Sequence, residues 1–176
     1  RDVQVLTPMH RGELGSEGLN RAIGGVLNPG RGTARLAPGD KVMQIRNNYE
    51  KEVFNGDVGF VERMAEDGRT VFVRFDDDAG GARLVSYEAS QQDQLTAAWA
   101  ISIHKSQGSE YPAVFIPLHG QHYVMLRRNL LYTAVTRGRR LVVLIGGEKA
   151  VRTALREATV APRFGLLSGR LVALAR

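Results

Sequence analysis

Two stretches of this chain gather side chains that could handle a phosphate ester. In the first, Ala100-Ile101-Ser102-Ile103-His104-Lys105-Ser106-Gln107-Gly108-Ser109-Glu110, polar and glycine residues follow directly on an apolar run. Ser102, His104 and Lys105 could donate to phosphate oxygens, Gly108 would let backbone come close to a ligand, and Glu110 could accept from a ribose hydroxyl. In the second, Arg127-Arg128-Asn129-Leu130-Leu131-Tyr132-Thr133-Ala134-Val135-Thr136-Arg137-Gly138, Arg137 ends a helical pattern beside a breaking glycine. A guanidinium held there can meet a phosphoryl group as a planar fork. Plainer explanations compete with both. A lone histidine is usually a surface residue, and a cation near a helix C-terminus gains only tenths of a kcal/mol to about one. Donors, glycine and carboxylate packed after one strand favour function for the first stretch. Residue chemistry alone leaves the second evenly balanced.

The flanking patterns say what positions these groups. Val3-Gln4-Val5-Leu6-Thr7 reads as a short buried strand stopped by Pro8. After glycines 12, 15 and 18, Leu19, Ile23 and Val26-Leu27 recur at helical spacing up to the breaker Asn28-Pro29-Gly30. Ala113–Pro117 and Leu141–Ile145 read as further buried strands, and 127–137 as a helix with Leu130, Leu131, Ala134 and Val135 on its apolar side. Residues 148–157 read as a helix with Val151, Ala154 and Leu155 inward, and the basic, leucine-rich tail 162–176 is expected to pack loosely. In a parallel sheet the C-terminal strand ends face the ligand crevice, which would receive the whole 102–110 stretch.

Residues 38–95 follow another rhythm. Short β-rich runs at 41–46, 58–64, 70–75 and 83–87 are separated by Asn55-Gly56-Asp57, Glu66-Asp67-Gly68 and a glycine-rich acidic turn at 76–81. The expected fold class is therefore α/β, a parallel sheet flanked by helices at 1–37 and 96–176, with a small antiparallel barrel inserted at 38–95.

Composition narrows the function classes. The 176 residues carry a net charge of +6. The inserted segment holds seven basic and twelve acidic residues, so the rest of the chain carries +11, which suits a polyanionic partner. With no cysteine, disulfides, thiolate zinc sites and thiol catalysis are excluded, and a reducing, cytoplasmic setting is expected. No apolar run reaches the length of a membrane span. The chain begins at Arg1, directly before an apolar run, and reads as part of something longer.

These segments resemble a known family. His104–Glu110 is similar to motif V of superfamily 1 helicases, and Leu131-Tyr132-Thr133-Ala134-Val135-Thr136-Arg137 to their motif VI. Gln4–Met9 with Gly12, Gly15, Leu19 and Asn20 resembles the strand and helix opening the C-terminal motor half of RecD-like DNA helicases. Gly39–Gln44, Asn47-Asn48-Tyr49 and Phe54–Gly59 resemble the start of the Src-homology-3-like barrel inserted there. The likeness runs in order over nearly the whole chain and covers stand-alone RecD-like helicases, the exodeoxyribonuclease V alpha subunit and, more loosely, conjugative relaxase helicases.

The resemblance implies a RecA-like motor domain in which Arg137 reaches the γ-phosphate of ATP held by an N-terminal RecA-like domain missing from this sequence. Gly108 and Glu110 would lie against the nucleotide. Thr7, Ser102, His104 and Lys105 would touch single-stranded DNA, and Asn47 and Asn48 would steer the strand along the barrel. Tyr49 fits that role or the barrel core equally. The chain has no G-x-x-x-x-G-K-[ST] loop and no strand ending in an Asp-Glu pair. The Mg2+ site is thus expected outside this chain, and the chain alone is expected neither to hydrolyse ATP nor to unwind DNA. Partner nuclease or helicase subunits are compatible with the resemblance; a membrane is not expected. The alternative is a non-catalytic DNA- or subunit-binding module, although the −5 of residues 38–95 disfavours the barrel as main phosphate binder.

Overall fold

The computed structural model describes residues 2–32, 34–76, 80–123 and 125–157; the expectation for 162–176 lies outside them. Two sheets organise the molecule. Strands β1 (Val3–Thr7), β7 (Ala100–Ser102), β8 (Tyr111–Leu118) and β9 (Gly138–Gly146) form a parallel sheet in the order β7-β1-β8-β9. Helices α1 (Ser16–Leu27), α2 (Arg128–Val135) and α3 (Glu148–Arg156) complete this part. Its core joins Leu6, Ile101, Ile103, Val114 and Ile116 from the sheet side to Leu131, Ala134, Ala150 and Ala154 from the helices.

Strands β2 (Lys41–Gln44), β3 (Val58–Met64), β4 (Val71–Asp76), β5 (Ala82–Tyr87) and β6 (Leu95–Ala97) form an antiparallel sheet in the order β5-β4-β3-β2-β6. It encloses a second core of Val42, Val61, Val71, Val73, Phe75, Val85 and Tyr87. The inward residues of β4 alternate with outward ones, as a half-buried strand requires. Its last strand, β6, runs two residues past Leu95 and is separated from β7 by Ala98 and Trp99 alone.

The two cores meet across β2, all four residues of which are buried. Because side chains alternate across a strand, each side of β2 serves a different core. Val42 packs into the antiparallel core, and Gln44 accepts a hydrogen bond from the Tyr87 hydroxyl there at 2.9 Å. Met43 packs into the parallel-sheet core. The Lys41 ammonium donates to the Val3 carbonyl and to Gln4 Oε1, both at 2.9 Å. Gln4 in turn donates through Nε2 to the carbonyls of Ala98 and Trp99. A buried polar chain thus rivets β1 to the inserted sheet.

Several expectations about the elements need correction, beginning with Val135, expected on the apolar side of α2 but exposed. Leu141–Ile145 is not a buried strand: β9 is the sheet's edge, and Leu141 and Ile145 are half exposed. An apolar run alone does not distinguish a central strand from an edge strand. Leu155 is likewise half exposed, because Ala150 and Ala154, one turn apart, form the inward side of α3 with Val151. Gly138 is not a helix-breaking turn; it opens β9, where a Cβ would lie 2.5 Å from Val142.

Candidate functional site

The expected ligand residues fall into three places. At the C-terminal ends of β1 and β7, Thr7 and Ser102 are register partners. Ser102 precedes a 3₁₀ turn (Ile103–Ser106) and its hydroxyl accepts from the Lys105 N–H. That turn exposes the side chains of His104 and Lys105. Thr7 differs from expectation. It is fully buried, and its hydroxyl donates to the Leu14 carbonyl at 2.6 Å, so it holds the β1–α1 loop instead of facing a ligand. The same loop needs Gly15, since a Cβ there would sit 2.3 Å from the Arg11 carbonyl.

The second place is the opposite end of the sheet. The stretch 100–110 does not line one crevice but crosses from the end of β7 to the start of β8. Pairing through Val5 sets Ser102 level with Pro117, six residues beyond Tyr111, which is about 20 Å along the strands. Here Gly108 takes φ +86°, a left-handed conformation that favours glycine. Glu110 forms an ion pair with Arg139 at 2.7 Å. Arg137, half-buried just past α2, donates from Nε to the Thr133 carbonyl, from Nη1 to the Ser109 carbonyl and from Nη2 to the Thr136 hydroxyl. All these acceptors are neutral, so an anionic phosphoryl oxygen would be a stronger partner for the fork. The donor set therefore fits a nucleotide phosphate.

A cleft of about 1040 Å³ opens between this end of the parallel sheet and the inserted sheet. Gly108, Glu110 and Arg139 line one wall, and Asp57, Asp76 and Arg83 the other. Lys41 closes part of it; burial holds its pKa down at about 8, partly offset by Asp2. Among the described residues no group of three His, Asp or Glu side chains is arranged to hold a metal ion.

The third place is the loop after β2. Asn48 pairs with Val53 in an isolated bridge, accepts from the Lys51 N–H and donates to Gln94. Asn47 accepts from the Asn55 N–H. Both amides therefore brace the loop, and Asn47 remains exposed. Tyr49 is 75% exposed, which removes it from the core, and it meets Phe54 edge-on with ring centroids 5.9 Å apart.

Sequence reasoning overlooked Arg139, whose signal was its place two residues beyond Arg137. It also missed Lys41 and Gln4, each a polar residue inside an apolar strand.

Two family descriptions match this chain. One, the UvrD-like helicase C-terminal domain, covers residues 97–145; the other, the ATP-dependent RecD-like DNA helicase SH3 domain, covers 19–75. An ATP-dependent RecD2 DNA helicase of Deinococcus radiodurans is 41% identical over 142 residues, covering 78% of this chain and 19% of the relative. The RecBCD enzyme subunit RecD of Mycolicibacterium smegmatis is 29% identical over 160 residues, covering 89% and 27%. The chain thus spans about a fifth to a quarter of these relatives. Among solved structures, two coordinating Pif1 helicases at forked dsDNA align over 99% of this chain and 44% of theirs, with TM-score 0.57 and 19% identity. Pif1 helicase from Candida albicans aligns with TM-score 0.51 and 21% identity over 80% and 37%. At those identities the likeness is one of fold.

Proposed function

Since the chain belongs to the RecD-like superfamily 1 helicases, as a segment of their C-terminal half, we propose that it is the half-motor that completes an ATP site and carries part of a DNA track. In this reading 38–95 is the inserted barrel and the flanking residues form the motor domain. Arg137 serves ATP held by an N-terminal RecA-like domain, with Gly108 and Glu110 beside it. Ser102, His104 and Lys105 touch single-stranded DNA at the other end of the sheet, and Asn47 and Asn48 shape the barrel loop along the strand.

The observation that carries this is the clasp of Arg137 on Ser109. It holds the motif VI arginine against the motif V segment in a half-buried setting, with donors free to exchange neutral carbonyls for charged oxygens. ATP with Mg2+, when bound, supplies the transferable γ-phosphoryl group. Arg137 holds its charge at the domain edge, where neutralising the transition state is worth 10³–10⁵ in rate in well-studied GTPases. Thr133 and Thr136 fix the fork's plane. Glu110, paired to Arg139, keeps a carboxylate oriented for a sugar hydroxyl. Gly108 lets the backbone come close. Alternating closure of this domain on its partner would convert hydrolysis into stepping.

The test is Arg137→Ala in the complete protein that includes the N-terminal domain. ATP turnover falls at least a hundredfold while single-stranded DNA affinity holds, an effect of roughly 3 kcal/mol on the barrier. Turnover near wild type would defeat the assignment. ATP hydrolysis by this chain alone would defeat the half-motor reading.

A further inference from the structure

We propose that the notch between the 103–106 turn and the start of α2 seats a phosphodiester of a single nucleic-acid strand, with Arg127 as its cation and Gln107 and Asn129 as neutral donors. The proposal rests on the reading that 102–105 touch single-stranded DNA, and it extends that contact onto a second element.

The notch has a volume of about 290 Å³ and is lined by His104, Gln107, Arg127 and Asn129 among others, with no carboxylate in its wall. It lies at the same end of the sheet as Ser102, because the 103–106 turn leaves β7 there and α2 starts after β8 has reached that end. Several other arginines are already engaged. Arg46, Arg83, Arg139 and Arg152 are each matched to a carboxylate. Arg128, next in sequence, donates to the Leu155 carbonyl. The side chains of Lys105 and Arg127 have no hydrogen bond or ion pair among the described residues, and both are exposed.

Nor does Arg127 serve the helix it precedes. That position favours Ser, Thr, Asp or Asn, whose side chains accept from free backbone N–H groups. A guanidinium has no acceptor, and Arg127 makes no capping hydrogen bond. Its unpaired charge is therefore available to an anion. One cation, an imidazole and two amides from two elements match the mixed charge and hydrogen-bonding demand of a sugar-phosphate backbone.

The decisive experiment titrates binding of a fluorescent oligo-dT to this chain across a salt series. Arg127→Ala, Arg127→Lys and the double variant His104→Ala/Lys105→Ala are compared with the control Arg69→Ala. Arg127→Ala should weaken binding and flatten the slope of log K against log salt by about 0.7, the share of one single-strand phosphate. Arg127→Lys should restore the slope, and Arg69→Ala should match wild type. An unchanged slope in Arg127→Ala, with loss only in the double variant, overturns the notch and leaves the 102–105 reading intact. Loss at Arg127 with the double variant unaffected supports the notch and removes the 102–105 assignment. No binding by the wild-type chain overturns both. Competition by inorganic phosphate that displaces oligo-dT from wild type but not from Arg127→Ala would assign the notch to free phosphate and overturn the proposed strand.

Discussion

Arg137 and Ser109 are joined side chain to backbone: Nη1 of Arg137 donates to the Ser109 carbonyl at 3.0 Å. Two residues along, the Tyr111 N–H donates to the Arg137 carbonyl at 2.8 Å. Segments that read as separate motifs are thereby fastened at both ends of one residue. Any movement of the arginine must be felt at the 108–110 turn, and the reverse.

Replacing this fork by a point charge tests that coupling. Arg137→Lys keeps the charge but cannot hold Ser109, Thr133 and Thr136 at once. In the complete protein, turnover should fall at least roughly tenfold, about 1.4 kcal/mol on the barrier. Urea unfolding of the chain should register about 1 kcal/mol for the lost hydrogen bonds. Full turnover in the lysine variant would show that charge alone suffices.

Lys41 predicts an unusual pH profile. Burial brings its pKa in the folded chain to about 8, against 10.5 for the ordinary side chain. Between those values the unfolded chain binds more protons, so stability rises with pH. The limiting gain is roughly 3 kcal/mol, reached above pH 10.5. Urea unfolding between about pH 7.5 and about 9.5, below the range in which the raised pKa values of buried Tyr87 and Tyr111 oppose it, should show this rise, and Lys41→Met should lack it. Parallel curves for the two proteins would mean that the ammonium is not desolvated.

Thr7→Val separates a positioning role from a contact role. The substitution keeps the shape and removes the hydroxyl from the Leu14 carbonyl, at a cost of about 1–2 kcal/mol in thermal unfolding. The salt slope of oligo-dT binding should not change, because no phosphate contact is lost. A flattened slope would return Thr7 to the strand itself.

Gly146 marks a close approach at the end of β9. A Cβ there would lie 2.0 Å from the Leu118 carbonyl oxygen, its parallel neighbour. Gly146→Ala should destabilise the chain by about 1–3 kcal/mol, read by thermal melting. An unshifted melting temperature would show that the edge strand relaxes freely.

Much of this arrangement was legible in the residues. Val3–Thr7 and Val71–Phe75 show their strands by apolar run and alternation, and turn residues divide the inserted sheet. Ser102 ends β7 and Arg137 lies just past α2. What stayed hidden depends on long-range placement. Nothing local in 102–110 shows that the chain crosses the sheet midway, so residues adjacent in sequence serve opposite ends. Thr7 looks like a ligand residue until Leu14 folds over it. Leu141 and Ile145 look buried because composition does not reveal that the sheet stops at β9. The roles of Lys41 and Gln4 stay hidden because each finds its partner in the other sheet.

The double duty of β2 bears on how such a segment can be lost. An ordinary surface excursion can be trimmed to a tight turn, leaving its host intact. Removing this one would strip Met43 from the core that holds Leu6 and leave the Val3 carbonyl and Gln4 Oε1 without their lysine. The host would then need a new apolar cover and a new donor in the same event. Shortened descendants should therefore trim the far hairpin of β4 and β5 while retaining β2 and β6.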